Sequence, residues 1–336
     1  MSTIVYVSNA DSGSLSVLAL DEGAGTLTTR QTLELGGTVM PLALSPDRRW
    51  LFAARRSAPW AALSLRIAAH DGTLTLAGEG PLPESMAYLS TDRSGRFLLG
   101  ASYGGGLISV SPIGADGLVA AAQQVVPTGP KAHAIRPDGA NRTVLATSLG
   151  AGELLQFRFD AATGLLTPGD PPALVLRASS GPRHFEWHPD GRTVYLLNEL
   201  DASVDVLAPG ANGHLGLRQT VSTLPPGFAG EPWAADLHLT PDARWLFTSE
   251  RRSSTIASLR VDPASGALTL TGHTAVQAQP RGFHISASGR WLIVAGQRSH
   301  HVGLHAIDAE RGTLALVREH AVGQNPNWIE TLTLPS

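Results

Sequence analysis

A Gly placed just ahead of a Leu recurs seven times along the chain, ending at Leu27, Leu74, Leu118, Leu165, Leu215, Leu268 and Leu314, at spacings of 47, 44, 47, 50, 53 and 46 residues. That period matches one four-stranded blade of a β-propeller. A second marker runs in step with it. An Arg-led apolar strand follows a turn at Arg49, Arg96, Arg142, Arg192, Arg244 and Arg290, and four of those turns read Pro-Asp (Pro46-Asp47, Pro137-Asp138, Pro189-Asp190, Pro241-Asp242). Pro presets φ for the turn and the Asp side chain closes it. Thr3 to Val7 has the same character with no strand upstream, and the C-terminal stretch from Asn325 to Leu332 supplies a strand with nothing after it. The expectation is a single all-β domain over residues 1–336: a seven-bladed propeller of four-stranded blades, its N- and C-terminal strands closing one blade and leaving no open sheet edge there.

Composition agrees and narrows function. With 43% hydrophobic residues, 36 Gly and 23 Pro, the chain has a large core and many turns. Net charge is −3 and no basic stripe appears, which argues against nucleic acid and anionic membranes as partners. The absence of cysteine excludes disulfides and thiol nucleophiles. Lys131 is the only lysine, so an anion site here must use Arg and His. The N-terminus has no basic leader and no apolar run reaches spanning length, so a cytoplasmic protein is expected.

In a propeller the first strand of each blade starts, and the second ends, on one face. The first-strand starts read Lys131-Ala-His133, Arg183-His184, Trp233-Ala-Ala-Asp236, Arg281-Gly-Phe283 and Asn327-Trp328. The second-strand ends read Asn9, Arg55, Ser102-Tyr103, Ser148, Asn198-Glu199, Glu250-Arg251 and Gln297. Arg, His, Glu, Asn and Gln thus converge on one mouth, a pocket for a small, polar, anionic ligand. Water and satisfied polar groups are the competing reading for any one of these residues. Ser299-His300-His301 is expected on a surface turn, since adjacent strand residues point to opposite faces. His70, His214 and His273 sit beside turns, while His188, His238 and His284 are expected as packed core histidines. Trp50, Trp245 and Trp291 read as blade core.

The stretches Gly181-Pro-Arg-His184, Asn198-Glu-Leu200, Ser203-Val-Asp-Val206, Trp233-Ala-Ala-Asp236, Gln279-Pro-Arg-Gly-Phe283, Gly296-Gln297 and Ala321-Val-Gly-Gln324 together resemble the bacterial propeller-type 6-phosphogluconolactonases, relatives of fungal carboxymuconate-lactonizing enzymes. The resemblance implies hydrolysis of 6-phospho-D-glucono-1,5-lactone, a step of the oxidative pentose phosphate pathway, with no metal and no organic cofactor. By motif it implies a site on His133, Arg183, Arg251 and Glu199. In that reading Glu199 or His184 is the base for water, His133 protonates the leaving ring oxygen and Arg183 holds the oxyanion. Arg251 and Arg281 grip phosphate, with Arg55, Tyr103, Asn198 and Gln297 completing the binding set. The loop from Arg55 to Trp60 and the run Tyr103-Gly-Gly-Gly106 depart from the family pattern, which leaves open another sugar lactone, a carboxymuconolactone or muconate lactonization. A non-catalytic binding propeller is the rival of a different class, and a monomer or weak homodimer is expected.

Overall fold

The computed structural model describes residues 3–211 and 213–334. Its 28 strands form seven four-stranded sheets, and no helix occurs among the described residues. This is the seven-bladed β-propeller expected from the repeat. Blades are numbered here from the one holding Thr3–Asn9, and the strands of each are called first to fourth in sheet order. The first strands of blades 1 to 7 are Pro326–Thr333, Val39–Leu44, Tyr88–Thr91, Ala132–Pro137, Pro182–Trp187, Ala234–Leu239 and Pro280–Ile285. Blade 1 is closed as expected by the C-terminal strand, with Ile4 opposite Leu332 and Val7 opposite Ile329. Among the described residues the chain divides into two compact units. One comprises the residues up to Leu35, His70–Gly72 and those from His184 onward; the other comprises Gly36–Ala69 and Thr73–Arg183.

Both sequence markers have local physical causes. The turn Asp accepts the backbone N–H of the Arg that opens the next strand: Asp138 Oδ1 from Arg142 at 2.8 Å, Asp190 Oδ1 from Arg192 at 2.7 Å and Asp242 Oδ1 from Arg244 at 3.1 Å. Blade 3 has no Pro there, yet Asp92 does the same for Arg96 at 2.8 Å. The Gly of the Gly-Leu turn adopts positive φ, 79° at Gly117 and 67° at Gly312, and a Cβ there would overlap the rings of Trp50 and Trp245. Each of these turns therefore carries the indole of the preceding blade's second strand. Trp50, Trp245 and Trp291 are buried in apolar clusters, as expected of blade core. Losing one such indole costs about 3–5 kcal/mol.

Candidate functional site

The ladder between first and second strands slips at the same place in blade after blade. Two residues of the first strand face one of the second at Met40-Pro41 in blade 2, His133-Ala134 in blade 4 and Ala235-Asp236 in blade 6. Arg281 in blade 7 and Asn327 in blade 1 are single inserted residues at the corresponding point. These are β-bulges, which re-aim side chains out of strict alternation. The N–H freed by the bulge is taken up by a hydroxyl of the second strand: Ala134 N–H donates to Thr147 Oγ1 at 2.9 Å and Asp236 N–H to Ser249 Oγ at 3.0 Å.

The ends of the second strands divide into two roles. The last strand residue braces its own hairpin or entry loop. Asn9 Nδ2 donates to Ser14 and Ser16, Asn198 Nδ2 to Ser203 at 3.0 Å and Asp205 at 2.9 Å, and Ser148 Oγ to the Pro130 carbonyl. Glu250 accepts the N–H groups of Trp233 and Ser253. Arg55 is likewise committed, forking onto both oxygens of Glu79 at 2.8 and 2.6 Å. The following residue instead sits over the entry of the first strand. The N–H groups of Ala10, Arg56, Leu149, Arg251 and Gln297 donate to the carbonyls of Asn325, Thr38, Lys131, Trp233 and Gln279. Of the expected binding residues, Asn198 and Arg55 are thus braces, and Arg56 rather than Arg55 stands where Arg251 stands in blade 6.

In the larger unit the expected residues form two linked pairs. Glu199 and Arg251 make a buried ion pair, Nη2 to Oε2 2.9 Å. The Arg251 guanidinium lies 3.7 Å from the Trp233 ring centroid, and it donates through Nε to the Trp233 carbonyl and through Nη2 to that of Ala234. Arg251 was expected to grip phosphate; these intramolecular bonds already occupy Nε and Nη2. Two residues past Ala234, Asp236 accepts from His184 Nδ1 at 2.8 Å, and both side chains are buried. Its second oxygen meets His238 Nε2 at 3.3 Å and the Phe283 N–H at 3.3 Å. Burial opposes ionisation of Asp236, but the charge of His238 and the hydrogen bonds from His184 and His238 outweigh it. The carboxyl is held well below the usual range. An ionised Asp236 only accepts, so His184 Nδ1 is the donor of this bond, and in the neutral ring the lone pair falls on Nε2.

Arg281, two residues before the Phe283 N–H, is half-buried. Gln297 joins an amide chain instead of standing alone: Gln279 donates to it at 3.0 Å and it donates to Asn325 at 2.7 Å. His238 and His284 are not inert core residues. His238 approaches Asp236 and, at 3.9 Å, Glu186, while His284 accompanies Thr331 and lies 4.0 Å from Glu330. His188 sits 3.2 Å from Asp190. His300 is exposed in the turn over 297–300, as expected, whereas Ser299 is half-buried there and His301 opens the strand His301–Ile307 instead of lying in the turn.

In the smaller unit His133 is buried, its ring edge-on to Tyr103 at 5.9 Å, and Lys131 Nζ lies 5.7 Å from the same Tyr103 ring. Arg183, expected to hold the oxyanion, is 1% exposed and the largest fully buried side chain. Its carbonyl accepts from Thr147 Oγ1 at 2.7 Å.

The sequence reading missed Asp236 as a partner of His184, since the two lie 52 positions apart. Counting on from Trp50, Trp245 and Trp291 aligns Arg56, one residue past Arg55, with Arg251 and Gln297.

Residues 3–331 match the model of a family described as lactonase, 7-bladed β-propeller. The chain belongs to this lactonase family. It is 41% identical over 335 residues to a 6-phosphogluconolactonase of Pectobacterium carotovorum, covering 99% of this chain and 100% of that one. It is 39% identical over 284 residues to a 6-phosphogluconolactonase of Yersinia pestis, with 84% of each covered. Among solved structures, a periplasmic gluconolactonase of Pseudomonas aeruginosa superposes with a TM-score of 0.92 at 28% identity over the whole of both chains. A lactonase of this family is an enzyme of the carboxylic ester hydrolase class, as the resemblance implied.

Proposed function

We propose that this lactonase hydrolyses 6-phospho-D-glucono-1,5-lactone to 6-phospho-D-gluconate, with His184 as the base. The observation that carries the chemistry is the buried hydrogen bond from His184 Nδ1 to an ionised Asp236. It fixes the tautomer that leaves Nε2 able to take a proton from water. Glu199, the other candidate base, has one carboxylate oxygen in the ion pair with Arg251. Water attacks the ring carbonyl carbon as Nε2 takes its proton, and an oxyanion develops on the carbonyl oxygen. The oxyanion then collapses, the bond from the carbonyl carbon to the ring oxygen breaks, and that oxygen receives the proton back from His184. The identity of 41% across the whole chain with a curated 6-phosphogluconolactonase supports this substrate.

The structural match to a periplasmic gluconolactonase favours a second reading, an unphosphorylated sugar lactone. A cytoplasmic location goes with the phosphorylated substrate, because a doubly charged phosphate ester does not cross membranes unaided. No helix long and apolar enough to span a membrane occurs among the described residues.

The test is hydrolysis of freshly made 6-phosphogluconolactone, coupled to oxidation of 6-phosphogluconate and corrected for spontaneous opening. His184→Ala is expected to lower kcat by about a hundredfold or more. Asp236→Asn is expected to lower it about tenfold and to shift the acidic limb of the pH–rate profile. Turnover near wild type in His184→Ala removes His184 as the base, and a wild-type rate no better than the blank removes the substrate.

A further inference from the structure

We propose that His238 is a positioning residue of this lactonase, holding the Asp236 carboxylate in place for His184 from the next layer of side chains along the first strands. The proposal rests on the reading of His184 as the base. All the residues it joins belong to the larger unit.

Two residues on from His184, Asp236, Gly282 and Trp328, four neighbouring first strands carry Glu186, His238, His284 and Glu330, all half-buried. Two carboxylates thus flank two imidazoles. His238 Nε2 meets Asp236 Oδ2 at 3.3 Å, and its Nδ1 lies 3.9 Å from Glu186 Oε2. The His238 ring is edge-on to Phe283 at 5.0 Å and tilted against His284 at 5.0 Å. His284 Nδ1 lies 2.9 Å from the Ile285 carbonyl, which only accepts, so Nδ1 carries a proton and Nε2 faces Glu330 at 4.0 Å. Trp328 Nε1 donates to Glu330 Oε1 at 3.1 Å, and the Trp328 ring lies 5.7 Å from that of His184. The layer is therefore joined to the base on both sides, through Asp236 and through Trp328.

Asp236 Oδ1 serves His184, with the Leu237 N–H at 3.0 Å beside it. A carboxylate held at one oxygen can turn about its Cβ–Cγ bond, whereas one held at both has its plane fixed. His238 and the Phe283 N–H share the second oxygen. The ionised carboxylate only accepts, so His238 Nε2 is the donor there. A second proton on Nδ1 points to Glu186, so the protonated ring spans two carboxylates. Its charge helps to keep Asp236 ionised, and it also offsets the pull of Asp236 on the His184 proton. Asp236 divides its charge between two imidazoles, one that reacts and one that positions.

The experiment measures kcat, KM and the pH–rate profile of wild type, His238→Phe and His238→Gln on 6-phosphogluconolactone, with melting temperatures as the check on folding. Phe keeps an aromatic ring against Phe283 and drops the donor; kcat is expected to fall about fivefold with KM held within about twofold. Gln restores a donor without the charge and is expected to recover most of kcat. Its acidic limb is expected to move up by about half a pH unit or more, because Asp236 then pulls undivided on the His184 proton; Asp236→Asn moves the limb the other way. Wild-type kcat in His238→Phe, or an acidic limb in His238→Gln that stays in place or moves down, overturns the proposal. If His238→Phe does not fold, the limb in His238→Gln decides alone. NMR titration of the His184 ring resonance, identified by its loss in His184→Ala, separates the proposal from the lactonase reading. A higher His184 midpoint in His238→Gln supports the coupling even if no lactone is turned over, and an unchanged or lower midpoint overturns it.

Discussion

His305 lies in the third strand of blade 7, His301–Ile307, and is fully buried. Its Nε2 meets Gln277 Oε1 at 3.2 Å, and Gln277 Nε2 donates in turn to Glu319 at 3.0 Å. Gln277 Oε1 can only accept, so Nε2 carries the proton and Nδ1, buried with no partner among the described residues, carries the lone pair. Burial lowers the His305 pKa from 6.5 to about 4, with the nearby Glu319 charge opposing the fall. The folded protein therefore holds His305 neutral while the unfolded chain protonates it below about 6.5. Stability from this group is full above pH 6.5 and declines as pH falls, because the unfolded state then binds the extra proton. The loss is about 1.4 kcal/mol at pH 5.5 and approaches about 3 kcal/mol below pH 4. His305→Gln keeps a donor for Gln277 and removes the titration. Urea unfolding of both proteins at pH 7.5, 6.5 and 5.5 isolates the effect in their difference, since other groups cancel. The variant is expected to gain on wild type by that amount as pH falls. A pH-independent difference, or a His305 ring proton resonance titrating near pH 6.5, refutes the account.

Two further perturbations test the packing that places the site. Arg251→Met removes the Arg251 partner of the buried Glu199 carboxylate and is expected to cost about 3 kcal/mol, whereas Glu199→Gln with Arg251→Met costs less than the sum of the single changes; additivity in denaturant unfolding would contradict the pair as drawn. Gly117→Ala forces a Cβ into the Trp50 ring at φ 79° and is expected to cost about 2 kcal/mol or more, while Gly139→Ala, with open space around it and no positive φ, stays within about 0.5 kcal/mol; similar melting temperatures for the two would show that the Gly-Leu turn does not carry the indole.

The propeller was legible because its markers are local. A turn Asp that closes on the next Arg N–H, and a Gly that must take positive φ beneath an indole, each leave a short signature that recurs once per blade. The closing strand was legible for a related reason: blade 1 lacks a first strand at its N-terminal end, and the period leaves one over at the C-terminus. The pairs that make the site were not, because each partner comes from a different blade. Nothing within either segment marks His184 as the neighbour of Asp236.

The bulges explain why the contact between Asp236 and His184 was not legible in the sequence. Strict alternation places adjacent residues such as Ala235 and Asp236 on opposite faces, so at most one of each pair can point to a given side. The slip between Ala234 and Leu237 breaks that rule, and the Ser249 hydroxyl satisfies the Asp236 N–H that the slip leaves over. Asp236 can then reach both His184 and the N–H of Phe283 on the neighbouring first strand. A Ser249→Ala change removes the acceptor that steadies this irregular backbone without touching His184 or Asp236. If the bulge positions the carboxylate, kcat in Ser249→Ala falls by a few fold while KM holds, and the pH profile moves in the same direction as in Asp236→Asn. If Ser249 merely packs, stability drops and the pH profile stays where it was.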